Sequence, residues 1–181
     1  DGGEDVLMVG DDGLHALEQY VLAKYYLTTQ VYRHKGRLIT DNMLIRALTL
    51  GVMDDHIPAL EKLYRYEETP AYMDYYLSWD DACITVELTK PEHEKTQAAV
   101  LFRRLQERRL FKRVLQTRVR ELPDMLSTIV PEQLDNPATR AELEAGIAEF
   151  LGQRTGKTVD SRHVILHRFK IDSVRTESRN S

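Results

Sequence analysis

Apolar residues recur every three or four positions over most of this chain, the period of helices with one buried face. Leu14, Leu17, Val21, Leu27 and Val31 set that period first and predict one long helix over about residues 14–36, ending at Lys35-Gly36. Ahead of it, Val6-Leu7-Met8-Val9 followed by Gly10-Asp11-Asp12-Gly13 reads as a short strand and then a helix start, with Asp11 or Asp12 as cap. A second helix follows over about 38–50, with Met43, Leu44, Ala47 and Leu48 inward and Gly51 as its stop signal. Pro58 and Pro70 punctuate short helices that carry Tyr64, Tyr66, Tyr72, Tyr75 and Tyr76, all read as core. Ser78 opens another helix through Trp79 to Leu88, and Pro91 precedes one over about 92–108. The next apolar positions, Leu110, Phe111, Val114 and Leu115, fit either a strand or a helix end.

The last third changes character. Pro123, Pro131 and Pro137 break it up, a helix over about 138–151 has Ala141, Leu143, Ile147 and Phe150 as its apolar positions, and residues 164–171 look like a strand. The expected fold is therefore mainly α, a helical body over 1–122 with a small α+β C-terminal appendage over 123–172. The tail 173–181 has one apolar residue and is expected to be disordered.

Composition leaves that outline unchanged. At 181 residues, 42% hydrophobic and 30% charged, the chain is an ordinary globular length and mix. A net charge of −4 gives no overall pull toward nucleic acid or an anionic membrane, so an anion site has to come from local clustering. The lone Cys83 cannot form an intrachain disulfide, which fits a reducing compartment, and no apolar run approaches the roughly 20 residues of a membrane helix. The cytoplasm is the expected location. Asp1 reads as an internal start, from a fragment or a processed chain.

Candidate chemistry concentrates at Lys24-Tyr25-Tyr26-Leu27-Thr28-Thr29-Gln30-Val31-Tyr32-Arg33-His34-Lys35. At about 100° per residue, Lys24, Thr28 and Tyr32 share one sector of a helix, and Gln30 and His34 fall nearly opposite. A cation, a hydroxyl and a phenol one turn apart can cover a phosphate and stack on a sugar or base, and an imidazole with an amide can serve a second pocket. The plainer alternative has Lys24 and Lys35 solvated, Tyr32 in the core and His34 a satisfied surface histidine.

The stretch LHALEQYVLAKYYLTTQVYRHK and, more weakly, ERRLFKRV resemble the region after the catalytic core of HD-superfamily dNTP triphosphohydrolases, over roughly the first two thirds of the chain. The resemblance implies that Lys24 contacts substrate phosphate where the family usually has arginine, and that Tyr32 lies on the substrate sugar. It puts Thr28 in place of a histidine and Arg33 in place of a glutamine at the same substrate site. His34 and Lys35 match residues of an activator-nucleotide site between subunits, with Gln30 replacing an arginine there, and this placement requires a bend near Tyr32. Arg108 and Lys112 match basic residues that hold the activator triphosphate. The implied partners are deoxynucleoside triphosphates and further copies of the chain in a homo-oligomer.

Arg108 and Lys112 belong to a run with Arg103, Arg104, Arg109, Arg113, Arg118 and Arg120, in which Glu107 is the sole acid. Arg104, Arg108 and Lys112 align on one face if the helix continues. A solvated face and a non-specific nucleic-acid patch are the other readings; the latter is weakest, because the run lacks interleaved exposed aromatics for base stacking.

The superfamily's metal site needs a His-Asp pair, and the sequence contains no such dipeptide. Asp54-Asp55-His56 has the residue types in the wrong order and is read as a loop with a capping role. His163 and His167 are roughly 13 Å apart if their segment is a strand, too far for one metal. Gly152-Gln153-Arg154-Thr155-Gly156-Lys157-Thr158 has three residues between its glycines where a P-loop has four, and is read as a helix cap and turn. No metal or other cofactor is expected on this chain. The divalent metal of the intact enzyme, which would assist hydrolysis at the α-phosphorus to release triphosphate, would be bound upstream. A free-standing nucleotide-sensing or oligomerisation module is the alternative. The chain by itself should release no triphosphate from any dNTP with manganese or magnesium, and measurable turnover in a triphosphate-release assay would overturn the missing-metal argument.

Overall fold

A computed structural model describes residues 8, 10–32 and 34–169. The chain divides into two compact units, Asp1–Leu38 with Ile171–Ser181, and Ile39–Lys170. Among the described residues every regular element is helical.

In the first unit a 3₁₀ turn, Asp11–Gly13, leads into α1, Leu14–Tyr26. The N-cap of α1 is Gly13 with no side-chain cap, so neither Asp11 nor Asp12 has the expected role. The single helix read as far as Gly36 does not form either. From Leu27 to Tyr32 the backbone is π-helical, and α2 starts afresh at Lys35. Local hydroxyls account for the change. Thr28 Oγ1 donates to the Lys24 carbonyl at 2.8 Å and Thr29 Oγ1 to the Tyr25 carbonyl at 2.9 Å. Both compete with main-chain donors for the carbonyls of the α-ladder, and a wider ladder accommodates them. The strand read at 6–9 and the tail at 173–181 lie outside the described residues.

The second unit holds the body of α2 (Lys35–Met53) from Ile39 onward, followed by α3 (Pro58–Tyr64), α4 (Pro70–Leu77), α5 (Asp81–Thr89) and α6 (Gln97–Gln106). Proline takes the first turn of α3 and α4, where its missing N–H costs nothing. Thr69, Asp80 and Thr96 cap α4, α5 and α6 with side-chain oxygens. Ser78 therefore ends α4 and does not open α5. Asp55 accepts the Gln97 and Ala98 N–H groups at 3.2 and 2.8 Å, which is the capping role expected of its loop, exerted on α6.

Met43, Ala47, Leu50, Ile57, Leu60, Leu88, Ala98, Leu101 and Phe102 form the core. Gly51 lies inside α2 and does not stop it. A Cβ there would come within 2.7 Å of Leu60 Cδ1 and 3.3 Å of Ala98 Cβ, so the close approach of the chain requires glycine. Leu44 is exposed, contrary to the inward position read for it. Of the five tyrosines read as core only Tyr72 is buried; Tyr75 is half-buried, and Tyr64, Tyr66 and Tyr76 are exposed.

After α6, residues 107–118 have no regular structure, so the apolar positions there make neither strand nor helix end. A 3₁₀ turn at Val119–Glu121 precedes α7 (Asp124–Asp135), which contains Pro131 without breaking, and α8 (Pro137–Thr155). Gly156, at φ 65°, closes α8 in the left-handed conformation that favours glycine, as the cap-and-turn reading expects. The buried residues of α8 are Glu144 and Ala148, while Ala141, Leu143, Ile147 and Phe150 face outward.

No strand forms at 164–169, and the α+β appendage is absent from the described residues. The backbone groups that a strand partner would take are bound to side chains. Glu144 Oε1 accepts the Leu166 N–H at 2.9 Å, Glu144 Oε2 meets Arg46 Nη2 at 2.5 Å, and that same Nη2 reaches the Val164 carbonyl at 3.5 Å. Arg46 on α2, Glu144 on α8 and the 164–166 segment are thus tied through one carboxylate whose side chain is 3% exposed. Glu144→Ala would leave a largely buried guanidinium without its carboxylate and a half-buried N–H without its acceptor, and should lower stability in urea unfolding by about 3 kcal/mol. Glu144→Gln, which still accepts from Leu166, should lose less; an alanine variant as stable as the parent would show that the tie is dispensable.

Candidate functional site

The residues from Lys24 to Lys35 sit on the surface of the first unit. Lys24, Gln30, Tyr32, His34 and Lys35 are exposed and Thr28 is half-buried; Arg33 lies outside the described residues. Because the backbone is π-helical from Leu27, the 100° step that aligned Thr28 with Tyr32 does not apply there. The Thr28 hydroxyl donates within its own helix, which leaves only its lone pairs for a ligand. Arg37 lies over the Tyr32 ring at 5.3 Å, so one face of that ring already carries a cation.

His34 stands at the start of α2, where its carbonyl accepts the Leu38 N–H at 3.1 Å and its Nδ1 accepts the Gly36 N–H at 3.2 Å. In the neutral ring this makes Nδ1 the acceptor and leaves the proton on Nε2, an outward donor. A Cβ at Gly36 would sit 3.3 Å from Nδ1, so glycine allows the imidazole to lie against the helix start.

The basic run is arranged differently from its helical reading. α6 stops at Gln106, and Arg108 turns the chain in the left-handed region at φ 55°. Arg104, Arg108 and Lys112 therefore do not share a helical face. Arg108 and Lys112 are exposed, and Lys112 lies in the irregular segment. Several neighbours are partly neutralised: Arg103 by Glu94 at 3.8 Å, Arg109 by Glu107 at 3.1 Å and Arg118 by Glu121 at 3.7 Å.

A cluster with metal-ligand chemistry, missed in the sequence because its members are irregularly spaced, joins Glu87, Glu92 and His93 within 4.8 Å. Glu87 is already matched, by Lys90 Nζ at 2.6 Å and His93 Nε2 at 3.1 Å. Burial works against the Glu87 charge, but the hydrogen bonds from Lys90 and His93 outweigh it and hold the carboxyl below its usual range. One histidine, two glutamates and a competing lysine do not supply the His-Asp pair that the resemblance requires of a metal site.

With these positions in view, the comparison with known families is decisive at one level. The family model described as "HD associated region" matches residues 3–179. This chain belongs to that family. No curated protein and no solved structure matches it. As an HD associated region the chain is an HD-domain-associated protein, which agrees with the absence of a His-Asp pair from its own sequence. No helix among the described residues is long and apolar enough to cross a membrane.

Two groups at the far end of this HD associated region have shifted acidities. The Arg162 guanidinium, bound to both Asp160 oxygens, holds that carboxyl at about 2. His167 stacks on Phe169, and burial, helped by Arg140 and opposed by Asp41, lowers its pKa. A histidine lowered in the folded state binds fewer protons than in the unfolded chain, so its contribution is complete above the ordinary value near 6.5 and is lost as pH falls through the lowered one. The drop in urea stability from about pH 7.5 to about pH 5.5 should be smaller in His167→Gln than in the parent. Equal drops would mean that His167 does not titrate differently on folding.

Proposed function

We propose that this HD associated region is the nucleotide-contacting part of an HD-family phosphohydrolase that converts deoxynucleoside triphosphates to deoxynucleosides and triphosphate. The family match over residues 3–179 carries the reading. In it Lys24 contacts substrate phosphate, Tyr32 covers the sugar, and Thr28 and Arg33 line the same pocket. Gln30, His34, Lys35, Arg108 and Lys112 contact an activator nucleotide in a homo-oligomer. The divalent metal and the hydrolytic water belong to the HD domain, and no step is assigned to residues here.

The surface chemistry is consistent with this division of labour. His34 offers an outward Nε2 donor, and Lys24 and Lys35 are exposed cations on the same unit. α1 has no buried residue, although Leu14, Leu17, Tyr20, Val21, Leu22, Tyr25 and Tyr26 are exposed along it. A helix with this many exposed apolar and aromatic residues is normally covered. The HD domain is the occupant proposed for it.

Binding of a deoxynucleoside triphosphate, measured by calorimetry, should fall by about tenfold or more when Arg108 and Lys112 are both changed to alanine, and should weaken with salt. Unchanged affinity in the double variant would reduce these two side chains to a solvated face and favour a role in oligomerisation alone.

A further inference from the structure

The turn after α6 builds a small basic cavity that none of the residues assigned above lines. Val100, Arg103, Arg104, Glu107 and Arg109 line a half-open space of about 150 Å³, the liquid volume of roughly five waters. It exists because the chain reverses sharply. Arg108 adopts φ 55°, the Arg108 N–H returns to the Leu105 carbonyl at 3.0 Å, and the Arg109 N–H returns to the Arg104 carbonyl at 2.8 Å. That reversal brings Arg109 back beside the last turn of α6, where Arg103 and Arg104 project.

Arg104 is the distinctive member. Its guanidinium lies 5.3 Å over the Phe111 ring, and its Nε is buried without a hydrogen-bond partner among the described residues. An orphaned buried donor is costly, and an acceptor that entered as the Arg104 guanidinium turned toward the cavity would recover that cost. Three effects oppose an anion here: Glu107, bound to Arg109 at 3.1 Å, Glu94, 3.8 Å from Arg103, and the negative end of the α6 dipole. Three guanidinium groups outnumber the two carboxylates, and a dipole end is a smaller effect than a full charge.

We infer that this cavity is a phosphate-class oxyanion site, in which Arg104 is the buried anchor and Arg103 and Arg109 close over the ligand. A tetrahedral dianion can offer oxygen edges to more than one guanidinium, whereas a planar carboxylate presents a single edge. The phosphoryl group can come from free inorganic phosphate or pyrophosphate, or from the end of a nucleotide. The inference is independent of the roles proposed for Arg108 and Lys112.

The Arg104 ¹⁵Nε signal is the direct probe, followed by NMR in the whole chain during titration with pyrophosphate and, separately, with a deoxynucleoside triphosphate. A saturable shift is expected, at least tenfold weaker in Arg109→Ala and retained in the Arg108→Ala, Lys112→Ala double variant. Equal affinity for both ligands assigns the site to the free oxyanion, tighter nucleotide binding assigns it to a nucleotide's phosphates, and both support the site. No saturable shift with either ligand, or a shift unaffected by Arg109→Ala, would overturn it. Arg109 is the preferred substitution because its side chain is 65% exposed, so its loss leaves the Arg104–Phe111 contact in place.

Discussion

One buried carboxylate organises the C-terminal half of the second unit. Glu144 is nearly inaccessible and bonded on both oxygens, to Arg46 on one side and to the Leu166 main chain on the other. Removing two charges from water is expensive, and their mutual attraction offsets that cost only when the remaining hydrogen-bonding capacity is used. Here it is, and the geometry is correspondingly demanding: α2, α8 and the 164–166 segment can satisfy the pair only in one arrangement. The same carboxylate decides the secondary structure of the segment, because Leu166 gives to Glu144 the donor that a neighbouring strand would require.

This explains how the fold could be read from the chain and where that reading stopped. The α2 core positions Met43 and Ala47 followed from helical spacing, and the helix starts at Pro58 and Pro70 from the prolines themselves. Spacing failed where a polar residue took the inward position. On α8 the apolar residues suggested one face, yet Glu144 and Ala148 are the buried ones, since a paired glutamate can occupy a core site that a pattern of apolar residues assigns elsewhere. Tyrosine misled for a related reason. Tyr66 and Tyr76 pack their rings against Tyr72, yet they and Tyr64 remain exposed, so aromatic content alone overstated the core.

Site geometry was less legible than site composition. The polar and aromatic residues at 24–35 stood out at once, but the angular argument assumed uninterrupted α-helical winding, and two adjacent threonines bonding to carbonyls four residues back were enough to alter it. The arginine run was equally visible. What could not be read was the early end of α6, after which neighbours along a helix face become separate and Arg109, not Arg108, returns toward Arg104. The orphaned Arg104 donor is invisible in any one-dimensional pattern, because it depends on Phe111 folding over the guanidinium.

Under the role proposed for Arg108, its left-handed turn sets stability against function. Glycine reaches that backbone conformation without the steric penalty that a side chain incurs, so selection for stability alone would favour its appearance there. A chain drifting toward greater stability at this turn would discard a cation. A strained arginine at a position suited to glycine is therefore best understood as a compromise in which the side chain compensates for the backbone it burdens.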